Sequence, residues 1–373
     1  VLSVTVFDDA PDRPLLLLGS SVGTSAESMW RRCASRLYGR YHVVGFDLPG
    51  HGGSAPATSP FTIADLARDV IAIADQIRPS GSFFYAGDSI GGAIGLQLLL
   101  DFPSRVNAAA LLCTGAQIGS PAMWHERAAL VRAEGTASVV AGSAERWFAP
   151  GFAERSPMVT AALLDALRAT DDDSYAYACE ALAAFDVRDR LAEIASPLLA
   201  VAGAHDKPTP PDGLALIADG VVNGRLVILP DIAHLAPAES PEVVAFLLDQ
   251  HFDESRAAGI KVRREVLGAE HVDRATAGTT AFTRDFQDLI TRYAWGEIWT
   301  REGLARRDRS LITLTALIAL GHHEELAMHV RAARTNGLSA DEIKEVILQT
   351  AIYCGVPAAN TAFRIAQKAL SNL

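Results

Sequence analysis

The stretch Ala86-Gly87-Asp88-Ser89-Ile90-Gly91-Gly92 constrains this chain more than any other. An apolar run ending in Phe83-Phe84-Tyr85 precedes it, and Ala93-Ile94-Gly95-Leu96-Gln97-Leu98-Leu99-Leu100, which reads as a helix, follows. Strand, Gly-x-Ser-x-Gly, helix is the context of a nucleophile elbow. The turn is so sharp that the residues two before and two after the serine must lack bulky side chains. Gly87 and Gly91 meet that need. Ser89 is then held at a helix N-terminus, where developing negative charge is favoured. The bare motif is common by chance, so its weight depends on the residues found downstream.

Those residues come in a telling order. Pro197-Leu198-Leu199-Ala200-Val201-Ala202-Gly203 reads as a buried strand, with Ala204-His205-Asp206 at its end. Leu226-Val227-Ile228-Leu229 reads as another, followed by Asp231-Ile232-Ala233-His234. Alone, Asp206 is a turn residue and His234 a surface histidine. Together, Ser89, Asp206 and His234 follow the chain order of the α/β-hydrolase triad, in which the acid precedes the histidine. A serine hydroxyl is a poor nucleophile until a base takes its proton. His234 is the candidate base, and Asp206 would fix its tautomer and stabilise the imidazolium. The apolar Leu15 to Leu18 leads into Gly19-Ser20-Ser21-Val22-Gly23-Thr24, where an oxyanion loop belongs. Its donors are expected to be the N–H groups of Ile90 and Val22, with Ser21 the alternative to Val22. The glycine-rich Asp47-Leu48-Pro49-Gly50-His51-Gly52-Gly53-Ser54 lacks the Gly-Lys-Ser/Thr ending of a phosphate loop.

At 373 residues the chain has room for two domains. Its net charge of −11 argues against nucleic acid or an anionic membrane surface as partner. The four cysteines, Cys33, Cys113, Cys179 and Cys354, form no Cys-x-x-Cys. That suits a reducing, cytoplasmic setting and argues against a dithiol centre or thiolate zinc site. No basic segment followed by an apolar core opens the sequence, so no signal peptide is expected. The longest apolar run, Leu311 to Leu320, is too short to span a bilayer.

Two architectures follow each other. To about residue 253, strands alternate with helices, which predicts a mostly parallel sheet covered on both faces. Residues of about 120–190 interrupt the alternation and read as a helical cap carrying Trp124, Trp147 and Phe148. Asp253 to Gly259 reads as a short polar linker. From 260 to 373 the pattern is all-α. Phe282, Phe286, Leu289, Ile290, Tyr293 and Ile298 fall near one helical stripe. Leu311 to Leu320, apolar all round, predicts a helix buried in a bundle or an oligomer. Asn336-Gly337 ends one helix, Ser339-Ala340-Asp341-Glu342 caps the next, and Gly355-Val356-Pro357 ends that one.

The first 253 residues resemble 3-oxoadipate enol-lactonases. The resemblance rests on Gly19 to Thr24, Phe61-Thr62-Ile63-Ala64-Asp65-Leu66, the elbow, Glu145-Arg146-Trp147-Phe148 and Ala202 to Asp206. From about residue 260 the chain resembles 4-carboxymuconolactone decarboxylases. There the stretches are Val262-Arg263-Arg264-Glu265-Val266-Leu267-Gly268, Phe282 to Gln287, Tyr293 to Trp299, His323-Glu324-Glu325-Leu326-Ala327, His329 to Ala333, and Gln349 to Asn360. The resemblance implies a fused, bifunctional enzyme of protocatechuate breakdown in the β-ketoadipate pathway. It would decarboxylate 4-carboxymuconolactone and hydrolyse the resulting enol-lactone to 3-oxoadipate. Two departures stand out. Pro49 occupies a segment where such lactonases commonly carry an arginine, and Asp88 precedes the nucleophile where a neutral residue is usual.

Decarboxylation leaves an electron pair, and an unsaturated lactone can take it up itself, so no cofactor and no metal are expected. The protein must stabilise the lactone carbonyl oxygen and deliver a proton to the α-carbon. Glu325 and His329 share one helix face. His329 is the candidate general acid, with Glu325 holding it protonated. Related alkylhydroperoxidases carry Cys-x-x-Cys-x-x-x-His here, and His322 and Glu325 stand at the cysteine positions, which excludes peroxidase chemistry. Candidate substrate contacts are Ser21 and Trp147 in the first half, and His322, Arg309 and Arg331 in the second. A metal site from His322, His323, Glu325 and His329 is the lesser reading. The expected partners are small lactone carboxylates and other copies of the chain, as a trimer or hexamer through the C-terminal domain. The rival reading is a serine esterase or other lactonase with a non-catalytic helical oligomerisation domain.

Overall fold

A computed structural model describes residues 2–280 and 282–371; the side chains of residues 254–257 and of Arg284 and Asp285, which fall in the linker and in one resembling stretch, lie outside the description. The chain forms two compact units, Val1–Phe252 and Asp253–Leu373.

The first unit is built on a seven-stranded sheet. Its strands are β1 (Val4–Asp8), β2 (Leu15–Gly19), β3 (His42–Phe46), β4 (Phe83–Asp88), β5 (Val106–Leu112), β6 (Leu198–Gly203) and β7 (Gly224–Leu229). Their order is β1-β3-β2-β4-β5-β6-β7, with only β1 antiparallel to its neighbour. Strands β2, β3, β4 and β6 are buried along their whole length, as a parallel strand covered on both faces must be. The register sets Gly19 beside Gly87 and Gly203 beside Leu229, so the loops after β2, β4, β6 and β7 leave one edge of the sheet. That carboxyl edge is where open α/β sheets hold ligands. Between β5 and β6 the chain makes the helices Pro121–Glu134, Val140–Trp147, Pro157–Ala169 and Asp172–Ala184. Ser120 and Asp171 cap the first and last of these.

All described elements of the second unit are helices. The polar stretch expected to be a linker is instead the start of a helix, Glu254–Leu267. Glutamate, alanine and arginine are good helix formers, and polarity without Pro or paired Gly does not break a helix. Ser339 and Glu342 form the expected capping box, and Gly355 separates Ala340–Cys354 from Val356–Leu370.

One expectation fails here, and another is only partly met within one chain. Thr291–Ile298 is a π-helix, and the predicted apolar stripe faces outward, with Phe282 95 % exposed and Tyr293 59 % exposed. The wider turn instead buries Thr291 and Trp295. The helix Arg306–Leu320 buries Leu314 and Ile318 but leaves Ile312 and Leu320 exposed, so it is not enclosed on all sides within the single chain. Among the described residues no helix is long and apolar enough to cross a membrane.

Candidate active sites

Ser89 stands where β4 turns into the helix Ile90–Asp101, with φ of +57° and ψ of −116°. A non-glycine residue in that region carries about 1–3 kcal/mol of strain. Close packing holds it there. A Cβ on Gly87 would meet the Gly91 carbonyl oxygen at 2.2 Å, and one on Gly91 would meet the Gly19 carbonyl oxygen at 2.6 Å. The Ser89 carbonyl accepts from Thr114 Oγ1 at 2.7 Å.

The three residues singled out by chain order meet at the sheet edge. Ser89 Oγ lies 3.1 Å from His234 Nε2. His234 Nδ1 lies 3.0 Å from each Asp206 carboxylate oxygen. Thr209 donates to the same carboxylate from its N–H at 2.9 Å and its hydroxyl at 2.6 Å. Burial pushes the Asp206 carboxyl up, but His234 and the Thr209 donors outweigh it and hold it below the usual range. Asp206 is therefore an anion that can orient the imidazole and balance its charge. Thr209 was not singled out in the sequence; a threonine three residues past a triad acid carries no signal until its donors are seen.

Ile90 opens its helix, so its N–H has no partner within the helix and points toward the serine's end. Val22 is buried in the loop after β2, and its neighbour Gly23 has φ of +79°. A Cβ at Gly23 would meet Leu167 Cδ1 at 2.5 Å, Tyr175 Cε2 at 3.3 Å and Trp147 at 3.5 Å. The cap thus lies directly on the loop after β2. Trp147 is buried and also takes the His234 N–H on its carbonyl at 3.1 Å. Glu239 ties the same parts together by accepting from Ala149 N at 2.8 Å and Ala233 N at 2.9 Å.

Ser21, expected to touch substrate, is otherwise engaged: its hydroxyl donates to Asp88 Oδ2 at 2.5 Å. Asp88 is fully buried beside Asp206 and Glu239, and burial first and those acids next push its carboxyl well above its ordinary value. Burial thus favours its protonated, neutral form over the carboxylate. The stability consequence has a definite sign. Between the ordinary aspartate pKa and the raised one, the unfolded chain has released this proton and the folded chain has not. Stability is full below the unfolded pKa and falls as pH rises, by about 1.4 kcal/mol per pH unit for one such group. Asp88→Asn removes that slope. Denaturant midpoints of the variant and the parent should diverge in the variant's favour from pH 5.5 to 8; parallel curves would mean that Asp88 ionises in the fold.

Pro49 closes a structural loop. Asp47 accepts from Ala26 N at 2.7 Å and Gly53 N at 2.8 Å, and the Pro49 carbonyl faces His51 Nδ1 at 2.9 Å. Two arginines of the cap stand near Tyr175, whose ring faces Gly23 of the loop after β2. Arg127 and Arg146 line one cavity of about 330 Å³ and act on the buried Tyr175 hydroxyl. Burial and then Arg127 lower the pKa of the half-buried Arg146. Arg146 stood in a resembling stretch but was assigned no role.

In the second unit the structure brings Glu325 toward His329, but the expected protonation does not follow. Burial lowers His329 to about 4, against the weaker upward pull of Glu325, and His271 adds to the lowering. Glu325 is exposed, so water screens it. His329 is a neutral imidazole in the free protein. His271 is itself lowered by burial and by Arg263, Arg274 and Arg331. Of the expected substrate contacts, Arg331 is exposed near this cluster, His322 is exposed at the start of His323–Thr335, and Arg309 donates to the Arg301 carbonyl at 2.9 Å. Among the described residues no group of three His, Cys, Asp or Glu side chains converges as a metal site.

Family models match the chain in two places. The α/β hydrolase fold matches residues 14–241, and the carboxymuconolactone decarboxylase family matches residues 284–368. A 3-oxoadipate enol-lactonase 2 from Acinetobacter baylyi is 36 % identical over 242 residues, covering 65 % of this chain and 89 % of that protein. A 4-carboxymuconolactone decarboxylase from the same organism is 48 % identical over 122 residues, covering 32 % of this chain and 91 % of that protein. A nitrosuccinic acid decarboxylase from Metarhizium robertsii is 45 % identical over 122 residues, covering 33 % of this chain and 82 % of that protein. Among solved structures, the enol-lactonase from Burkholderia xenovorans LB400 is similar with a TM-score of 0.64 at 31 % identity, covering 67 % of this chain and 95 % of that one.

Proposed function

The chain belongs to the α/β-hydrolase fold family in its first unit and to the carboxymuconolactone decarboxylase family in its second, and from that premise we propose that it is a bifunctional enzyme. The second unit decarboxylates 4-carboxymuconolactone. The first hydrolyses the enol-lactone that results to 3-oxoadipate. The observation that carries the pairing is chemical. Loss of carbon dioxide from 4-carboxymuconolactone leaves an enol-lactone, and the hydrogen-bonded chain Ser89–His234–Asp206 is built to open an ester of that kind.

Ser89 Oγ attacks the lactone carbonyl while His234 Nε2 takes its proton. The N–H groups of Ile90 and Val22 hold the tetrahedral oxyanion. The ring opens as the carbon–oxygen bond to the enol breaks, and the enol becomes a ketone on protonation. Water, activated by His234, then releases the second carboxylate from Ser89. Arg127 and Arg146 stand in for the arginine missing at Pro49 and attract the lactone's own carboxylate. Arg146→Met should raise KM for enol-lactone roughly tenfold with little change in kcat, the effect of losing one charge-assisted contact. An unchanged KM would remove Arg146 from substrate binding.

Decarboxylation pushes an electron pair through the double bond onto the lactone carbonyl oxygen, and a proton is returned at the α-carbon. The substrate supplies the electron sink, so the reading requires no cofactor. Nitrosuccinic acid, named for one relative, likewise carries its own sink in a nitro group. That similarity favours a second reading, in which the C-terminal unit acts on another sink-bearing dicarboxylic acid. Offering both acids to the intact chain and measuring carbon dioxide separates the two.

The protein is further proposed to be cytoplasmic, its four cysteines being free. It is also proposed to assemble as a trimer or hexamer through its second unit, where Phe282, Ile352 and Tyr353 are exposed. Light scattering at micromolar concentration tests this: a monomer would contradict it.

A further inference from the structure

Arg263 lies on the helix Glu254–Leu267 and is only 7 % exposed. Its Nη1 donates to two neutral oxygens, Gln287 Oε1 at 3.2 Å and Thr291 Oγ1 at 3.4 Å. Its Nε is buried with no acceptor. No described carboxylate pairs with it. The contrast with its neighbours is sharp. Arg264 pairs with Asp273, Arg274 with Glu270, Arg306 with Glu265 and Arg307 with Glu342, all of them partly or largely exposed. Among the described residues the buried one has no counter-ion.

Removing a guanidinium from water without a counter-ion is expensive, several kcal/mol even after relaxation. A fold keeps such a group where an anion arrives from outside. The surroundings fit that purpose. Val262, Val266, Trp295 and Ala332 form an apolar wall, and Ala332 lies on the His329 helix one turn further on. Such a wall strengthens any charge pairing beside it. The π-helix Thr291–Ile298 places Thr291 on Arg263 and Trp295 in the wall, and wide turns of this kind occur often at functional sites. Gly259, one turn before Arg263, lets the two helices meet: a Cβ there would lie 2.1 Å from the Thr291 carbonyl oxygen. His271 is close enough to Arg263 to feel its charge, and His329 feels His271.

We propose that Arg263 is the anion-binding residue of the decarboxylase site and takes the carboxylate that the substrate keeps. This rests on the decarboxylase reading above. The choice between the two carboxylates follows from the direction of charge flow. A cation on the departing group would hold back the electrons that must leave it, and binding favours reaction only where it strengthens toward the transition state. The planar guanidinium suits a carboxylate held by two parallel N–H groups.

The test uses the full chain and three variants, Arg263→Met, Arg263→Lys and Gln287→Ala. Arg263→Met should stay folded and melt no lower than the parent, since it replaces an unpaired buried charge by a side chain of similar length. Its KM for 4-carboxymuconolactone should rise roughly 10- to 100-fold, with kcat changed less and lactone hydrolysis unchanged. Arg263→Lys should fall between, and Gln287→Ala should raise KM without abolishing turnover. Succinate, a dicarboxylate that does not react, should raise the melting temperature of the parent and not that of Arg263→Met. If the parent responds to succinate through Arg263 yet leaves 4-carboxymuconolactone untouched, the anion site stands and the substrate assignment fails. An unchanged KM together with an unchanged succinate response in Arg263→Met overturns the proposal. So does a fall in assembly mass on light scattering with KM intact, because Arg263 would then serve a carboxylate of a second copy.

Discussion

Ser89→Ala is expected to lower enol-lactone hydrolysis by about four to six powers of ten, the range seen when a triad nucleophile is lost. Decarboxylation should continue at the parental rate, because Ser89 and His329 belong to different units. A mixture supplied with 4-carboxymuconolactone should therefore accumulate enol-lactone. Ser89→Gly should be equally inactive but more stable by about 1 kcal/mol, since glycine adopts the +57° φ of the elbow without strain. A denaturant titration of the two variants checks this. Loss of both activities in a folded Ser89→Ala variant would contradict the assignment of the reactions to separate sites.

His329→Ala should lower decarboxylation by roughly two to four powers of ten, the reach of general acid catalysis, and leave lactone hydrolysis unchanged. The pH dependence carries more information than the loss. His329 is depressed to about 4 in the free protein, so it is neutral at pH 7 and gains a proton only as pH falls toward that value. A substrate with two carboxylates reverses the balance, because adjacent negative charge favours the imidazolium. Binding should then take up a proton. The value of kcat/KM for decarboxylation, which reports the free enzyme, should rise as pH is lowered from 7.5 toward 5. The value of kcat, which reports the complex, should stay nearly flat. A kcat/KM that is flat over this range and falls only below about pH 4 would make neutral His329 the working form and remove it as the proton donor. Adding a chelator should change neither quantity; inhibition by chelator would revive a metal centre at His322, His323, Glu325 and His329.

The first site was legible because its constraints are local and its order is global. Gly87 and Gly91 mark a turn that admits no Cβ, and Asp206 and His234 fall at ends of strands that the sheet then sets side by side. What the sequence hid was the satisfaction of buried groups. Nothing near Asp88 in the chain reveals that Ser21, 67 residues away, donates to it. Nothing near His234 reveals that Glu239 and Trp147 tie its loop to the cap. The second unit was less legible for a related reason. An apolar stripe read at helical spacing gives the face that avoids water, not the partner that covers it. Phe282, Phe286 and Tyr293 face outward in the single chain, and Trp295 turns inward because the helix widens there. The histidine–glutamate pair was visible at i, i+4, but the burial that lowers His329 was not. Arg263 and Arg264 are adjacent in the sequence, and only the fold separates the buried one from its exposed neighbour.

The most direct measurement supplies 4-carboxymuconolactone to the intact protein and follows carbon dioxide and product together. One equivalent of carbon dioxide and one of 3-oxoadipate are expected for each equivalent consumed, with enol-lactone passing through as an intermediate that Ser89→Ala traps. No carbon dioxide release, from a protein that still hydrolyses enol-lactone or a simple ester, would contradict this and leave the second unit as an assembly module.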